Sequence, residues 1–229
     1  MKTFQDLQEG LNDPNIFKAF FLAGGPGSGK SLVVRTTTGG TGLQIVNSDD
    51  AFERYLKQAG ISLKMSTDDP RRDEVRDKAK RVIKKRHDNF VEGRLGIIID
   101  GTGKDYDKIA KQSIQLRQLG YDTHMIFVNT SLDVALQRNA ERDRTVPEDI
   151  AVRSWKDVQS NIGKFSQHFR QNFIVVDNND ANVKDPQVFN DVFKQIKGLL
   201  KKKVKSPLAK QWVMQQMKDR GIKKMPKGF

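Results

Sequence analysis

Residues 24 to 31 read GGPGSGKS and follow directly on the apolar run Ala19-Phe20-Phe21-Leu22-Ala23. A buried strand that runs into a glycine-rich turn and then into a helix has few folds open to it. Gly24, Gly27 and Gly29 permit backbone conformations that side chains would block, so successive N–H groups can point at a polyphosphate. Gly25, Pro26, Gly27, Ser28 and Gly29 are then the cradle, Lys30 reaches the β- and γ-phosphates, and Ser31 ligates Mg²⁺. The expected ligand is a nucleoside triphosphate, read as ATP, although no base-reading motif separates ATP from GTP. A chance glycine-rich turn is the competing reading, and the order of strand, loop and helix speaks against it.

Downstream, apolar strands alternate with helical stretches. The pattern predicts helices over 31–38, 50–59, 70–91, 105–119, 131–142 and 147–168, and a last helix from 186 into a lysine-rich run. Strands are expected over 43–47, 96–101, 124–128 and 173–176, the second of these, GIIIDG, too uniformly apolar to be half exposed. This alternation implies an α/β fold of the P-loop NTPase type: a parallel sheet with helices on both faces, a helical lid and a basic C-terminal arm. In such sheets ligands collect at the carboxyl ends of the strands, where the glycine-rich loop, Asp49 and Asp100 each follow a predicted strand.

The 229 residues suffice for one core domain, placed at 1–200, with the basic arm at 201–229. No cysteine is present, which excludes a disulfide framework and a cysteine zinc site. No apolar run approaches a membrane span, and the opening residues lack a signal-peptide layout, so an intracellular protein without a membrane partner is expected. The formal net charge of +13 is uneven: from Lys197 onward 11 Lys and Arg face the single acid Asp219, while residues 1–196 are almost balanced. A cationic arm of this kind favours nucleic-acid phosphates by counterion release, DNA being the expected partner, against the plainer reading of a solubilising tail. Leu208, Trp212 and Met217 recur near helical spacing and predict a short amphipathic helix over 207–219 that docks on the body or on a partner. Nothing in the sequence fixes an oligomeric state.

The companions of the loop decide what becomes of the γ-phosphate. In Asn47-Ser48-Asp49-Asp50, Asp49 is placed to accept the proton of an acceptor hydroxyl, with Asp50 as helix cap or substrate contact. Asp100, at the end of Ile97-Ile98-Ile99, is the acid expected near the metal, through a water; an Asp that merely opens the turn is the alternative. Thr102 and Lys104 lie in that turn and are candidate acceptor or phosphate contacts. Arg138 and Arg142, four residues apart, share a helical face from which guanidinium groups can fold over a triphosphate; a solvated face with Glu141 and Asp143 is the competing reading.

Taken together, GGPGSGKS, NSDD, IIIDGTG and the run HMIFVNTSLDVALQRNAERDRTVPEDIAVRSW resemble the kinase domain of bacteriophage 5′ polynucleotide kinase and the wider group of zeta-toxin-like kinases, over roughly residues 18–180. The resemblance implies an ATP- and Mg²⁺-dependent kinase in which Lys30 and Ser31 serve phosphate and metal, Asp49 is the general base, Asp100 a site acid, and Arg138 and Arg142 the lid arginines. It also implies a host-cytoplasm location if the chain is phage-encoded. Where the polynucleotide kinase has an arginine for the acceptor strand, this chain has Phe52, and no Asp-x-Asp phosphatase motif follows. Two DNA acceptors therefore fit, a 5′-hydroxyl end or the hydroxymethyl group of 5-hydroxymethyluracil, and Phe52 as a stacking surface inclines the reading to the base. A small-molecule kinase acting on a nucleoside, nucleotide or sugar nucleotide is the second class, and an ATP-gated DNA-binding protein without transfer is the third. Under all three, Lys30→Ala is expected to abolish nucleotide binding, measurable by titration with a fluorescent ATP analogue.

Overall fold

The computed structural model describes residues 10–63, 69–142, 145–179, 186–226 and 228–229. Strand β1 (Lys18–Ala23) is buried along its whole length. A strand with two apolar faces has to lie inside a sheet that is covered on both sides. It pairs in parallel with β3 (Ile97–Asp100) and β4 (Asp122–Asn129), while β2 (Gln44–Val46) and β5 (Phe173–Asp177) flank these, giving the order β2-β3-β1-β4-β5. Phe20 stands opposite Ile98 on one side and His124 on the other.

The period-two alternation of β1 sorts the core. Phe20 and Leu22 join Val33 and Val34 of α1 (Lys30–Thr38) and Val192, Ile196 and Leu199 of α8 (Pro186–Lys201). Phe21 and Ala23 face the other way, into a cluster with Ile109 and Leu116 of α4 (Tyr106–Gln118), Val158 of α6 (Glu148–Ser160) and Phe165 and Phe169 of α7 (Ile162–Phe169). A third cluster lies between α2 (Ser48–Gln58), α3 (Arg71–Glu92) and β2. Helix α5 (Leu132–Ala140) follows β4. No helix among the described residues is long and apolar enough to cross a membrane.

One expectation about helices changes. The stretch 147–168 is two helices, not one, and the break falls at buried Asn161, whose Nδ2 donates to the carbonyls of Gly103 (3.1 Å) and Lys104 (2.9 Å). A side chain committed to a neighbouring turn sets where the helix axis changes. The two C-terminal helices fall where the pattern placed them, and α8 runs into the lysine-rich stretch to end at Lys201. After Lys201 the chain turns and forms α9 (Pro207–Asp219), capped by the Ser206 hydroxyl, which accepts from the Ala209 amide.

Helix α9 closes the main core at the amino ends of the strands. Val204, Ala209 and Val213 are buried there. Phe17, just before β1, takes the rings of Tyr121 and Trp212 edge-on at 5.5 Å each and that of Phe229 at 6.0 Å. The Arg94 guanidinium, shortly before β3, lies 5.6 Å from the Trp212 ring centre. At Gly120, before β4, φ is 100° and a Cβ would lie 2.8 Å from the Ala209 nitrogen, so only glycine lets the helix approach this closely. The segment set apart as an arm by its charge thus supplies side chains to the core, and deleting it would uncover Phe17.

One residue of the core, His124, is polar and lacks a hydrogen-bond partner among the described residues at either ring nitrogen. It is buried and stacks on Phe20 at 4.7 Å. Burial, followed by the positive charges of Lys18, Lys202 and Arg117, holds its pKa down at about 3. A histidine with a depressed folded pKa supports the fold above its unfolded pKa and opposes it as pH falls from about 6.5 toward 3. His124→Phe is therefore expected to flatten the pH dependence of thermal stability between pH 7 and pH 4, where the wild type should lose up to about 3 kcal/mol through this group.

Candidate active site

The loop after β1 is tied to the turn after β3 through Gly24 N–H, which donates to Thr102 O (2.9 Å). Gly27 (φ 75°) and Gly29 (φ 78°) adopt left-handed conformations, and a Cβ at either would collide, with the Ala135 carbonyl and the Asn178 amide respectively. Gly29 caps α1 without a side-chain hydrogen bond. The amides of Gly27, Gly29, Lys30 and Ser31 have no backbone acceptor among the described residues. Four clustered donors at a helix start, with no room for side chains, fit a polyphosphate. Ser28 is buried and acts through its carbonyl, which accepts from Asn178 Nδ2 (2.7 Å) and Thr130 Oγ1 (3.2 Å) and so fixes the loop from below. Pro26 is half-buried, and Gly25 backs onto the Trp155 Cα, 3.5 Å from where a Cβ would sit.

Lys30 leads into a charged triad. Its Nζ lies 3.0 Å from Asp100 Oδ1, with the side chains 16% and 7% exposed, so the pair is largely shielded from water. Asp100 Oδ2 accepts from Asn47 Nδ2 (2.9 Å), and Asn47 Oδ1 accepts from the amides of Asp49 (2.8 Å) and Asp50 (3.4 Å). Asn47, not Asp50, is thus the cap of α2. One side chain joins the end of β2, the start of α2 and the acid of β3. The sequence signal for it was present, an Asn immediately before a helix, which is among the strongest N-caps.

Asp49 and Asp50 open α2 on the solvent side of this triad. The carboxyl of Asp50 is pushed above the usual carboxylate range, first by partial desolvation and then by the charges of Asp100 and Glu53, with Arg35 opposing. Ser31, a hard oxygen donor, stands exposed on the first turn of α1. With the carboxylate of Asp100 it forms the kind of oxygen set that Mg²⁺ accepts, one or two protein ligands completed by phosphate and water.

Arg138 reaches the loop from α5 and donates through Nη1 to Asn178 O (2.9 Å), beside Ser28 and Gly29. Arg142 does not share its helical face, because α5 ends at Ala140; it is exposed, at the edge of residues 143 and 144, which lie outside the described residues. Two further residues order this side of the site and had no role in the sequence reading. Buried Asn139 clamps Val146 through both its backbone groups (2.7 and 3.2 Å), and Trp155 Nε1 donates to Thr130 O (2.8 Å). Neither has a local signature, since Asn139 ties its helix to the loop seven residues on and Trp155 reaches back 25 residues.

Phe52 is placed differently from the sequence expectation. It is 2% exposed, packed in the cluster between α2 and α3, with the guanidinium groups of Arg76 and Arg72 4.6 and 5.8 Å from its ring centre. The ring is a core anchor and offers no face to a base. A cavity of about 280 Å³ lies at the carboxyl end of β3, lined by Ser48, Asp100, Thr102, Lys104, Lys108 and, on the α3 side, Ile83. Thr102 and Lys104, both singled out in the sequence, border it, and Lys108 adds a second cation that was not.

Comparison with known proteins identifies the family and the fold. The profile of the family described as Zeta toxin matches residues 5–186. A cytidylate kinase of Methanothrix thermoacetophila is 26% identical over 169 residues, which cover 72% of this chain and 83% of that protein. Among solved structures, that of the PezAT chromosomal toxin-antitoxin system of Streptococcus pneumoniae superposes with a TM-score of 0.57 at 13% identity, covering 86% of this chain and 87% of the other. The Pnkp1/Rnl/Hen1 RNA repair complex gives 0.50 at 18% identity, over 66% of this chain and 47% of the other. The fold is that of the P-loop kinases, and the chain is an enzyme of that class.

The partial desolvation of Asp50, reinforced by the neighbouring acids, has a measurable cost. A carboxyl with a raised folded pKa weakens the fold once it ionises, so Asp50→Asn is expected to raise Tm by roughly 1–2 °C at pH 7 and to change nothing at pH 3, where both forms are neutral. Differential scanning calorimetry at the two pH values checks this.

Proposed function

The chain belongs to the zeta toxin family, and on that premise we propose that it transfers the γ-phosphate of ATP to a hydroxyl of a small molecule held in the cavity beside Asp100. The carrying observation is that Asp100, which pairs with Lys30 of the phosphate loop, also lines this cavity. Donor and acceptor spaces then share one wall. The amides of Gly27, Gly29, Lys30 and Ser31 bind the β- and γ-phosphates, and Lys30 offsets the charge that spreads over the transferred group. The acceptor oxygen attacks the γ-phosphorus, the bond to the β–γ bridging oxygen breaks, and ADP leaves with its electron pair. The proton of the acceptor hydroxyl passes to the Asp49 carboxylate and from there to solvent. Ser31, and Asp100 through a water, would hold Mg²⁺, which when bound draws the phosphates together and neutralises part of their charge. Arg138, fixed beside the loop, adds positive charge, and Arg142 stands near enough in sequence to do the same from the lid.

The size of the cavity favours a compact acceptor, and Lys104 and Lys108 at its border favour an anionic one. The cytidylate kinase relative supplies a first acceptor to try, cytidylate itself. A second reading, a hydroxyl on DNA at a 5′ end or on a 5-hydroxymethyluracil base, is favoured by the concentration of charge from Lys197 onward. Against it, Phe52 is unavailable for stacking and that charge lies at the other end of the sheet.

Labelled ATP, the full chain and a panel of acceptors distinguish these readings. Transfer to a nucleotide or sugar nucleotide supports the proposal; label on DNA that a 5′-phosphatase releases, or that it leaves in place, supports the end or the base respectively. Transfer to none of them would leave an ATP-gated binding protein. For whichever acceptor works, Asp49→Asn is expected to lower kcat by at least about 100-fold with ATP affinity unchanged, and equal turnover by the variant would refute the base assignment.

A further inference from the structure

The most strongly charged surface of the molecule takes no part in the site described above. Lys201, Lys202, Lys203, Lys205, Lys210, Lys218, Lys223 and Lys224 are all exposed. None of them pairs with an Asp or Glu side chain among the described residues. The single acid of the segment, Asp219, accepts instead from Gln215 Nε2 (2.7 Å). So many unpaired like charges repel one another, and the repulsion is relieved only by anions from outside. The segment is nevertheless not a loose tail. Val204, Ala209 and Val213 are buried, Trp212 and Phe229 pack on Phe17, Val204 N–H donates to Gly228 O (2.8 Å), and Lys203 Nζ donates to Phe229 O (2.9 Å). The lysines are therefore presented from a folded frame, which limits the ordering entropy lost when they meet a ligand.

The position of this frame is as informative as its charge. Its contacts are with Phe17 before β1, Arg94 before β3 and Gly120 before β4, all at the amino ends of the strands, whereas the phosphate loop, Asp49 and Asp100 follow the carboxyl ends. We propose that the C-terminal segment from Lys201 is a nucleic-acid docking surface set at the opposite end of the sheet from the phosphoryl-transfer site, holding the kinase on a phosphate backbone without presenting the acceptor. An anionic membrane is the less fitting polyanion. Membrane-surface helices need a free apolar face, and that of α9, with Ala209, Val213 and Trp212, is spent on the core. Leu208 and Met214, exposed on α9, lie about 120° apart around the helix and make no common face. The docking inference is independent of the acceptor's identity.

Fluorescence anisotropy with a labelled 20-base-pair duplex and with a single strand of equal length, titrated against the full chain at several salt concentrations, tests the proposal. Lys205→Glu/Lys210→Glu/Lys218→Glu is expected to weaken binding at least tenfold near 100 mM salt and to reduce the slope of log K against log salt by about 2–3. MgATP binding, measured on the same samples, stays unchanged. The triple alanine variant should move in the same direction by less, and stands in if the charge reversal precipitates. Absence of DNA binding by the wild type, an undiminished affinity in both variants, parallel loss of MgATP binding, or binding to phosphatidylserine vesicles without binding to DNA would each overturn it. Because transfer to an acceptor is assayed separately with Asp49→Asn, failure here leaves the proposed reaction intact, and the reverse also holds.

Discussion

Burial of β1 on both faces is the constraint from which the site descends. Polar side chains are excluded from its interior, with Lys18 at its first position tied to Asp122 Oδ2 at 2.7 Å, so the strand has to lie between β3 and β4 with helices above and below. That central position leaves the loop after Ala23 flanked by the ends of two neighbours. From β3 come Asp100 and the carbonyl of Thr102, and beyond β4 comes Thr130, and each of them contacts the loop or Lys30. The catalytic edge is thus a consequence of hydrophobic sorting, with polar residues collected where the apolar run stops.

Much of this was legible because it depends on local patterns. The apolar runs at 19–23 and 96–99 name their strands, the glycine spacing names the phosphate loop, and Asp100 is placed at the site by ending a strand. What escaped depends on tertiary contact. Phe52 reads as an exposed aromatic replacement for an arginine, yet Arg72 and Arg76 come back from α3 to cover it, and nothing near residue 52 in the sequence announces them. Asn161 breaks a helix whose composition would continue it, because the carbonyls of Gly103 and Lys104 offer its amide better partners than solvent does. Asn47 was within reach of a local rule, but the acids after it drew the reading of the cap toward themselves.

The C-terminal segment shows how charge statistics mislead about architecture. A run this rich in lysine has the composition of a solvated tail, and one face of it is. Its other face carries a tryptophan, two buried valines and a closing phenylalanine that complete the core beneath β1. The same residues are structural by one side and electrostatic by the other, so truncation cannot separate the two properties, whereas exchange of exposed lysines can.

Helix α6 has a consequence for how a nucleotide is enclosed. It is fastened along its length: Trp155 to the carbonyl of Thr130, Gln159 Nε2 to Asn129 Oδ1 at 2.9 Å, and Asn161, at its end, to the turn at Gly103 and Lys104. Carrying α6 away from the loop would require all four of these hydrogen bonds to break, so this wall is held in place by the same edge of the sheet that holds the loop.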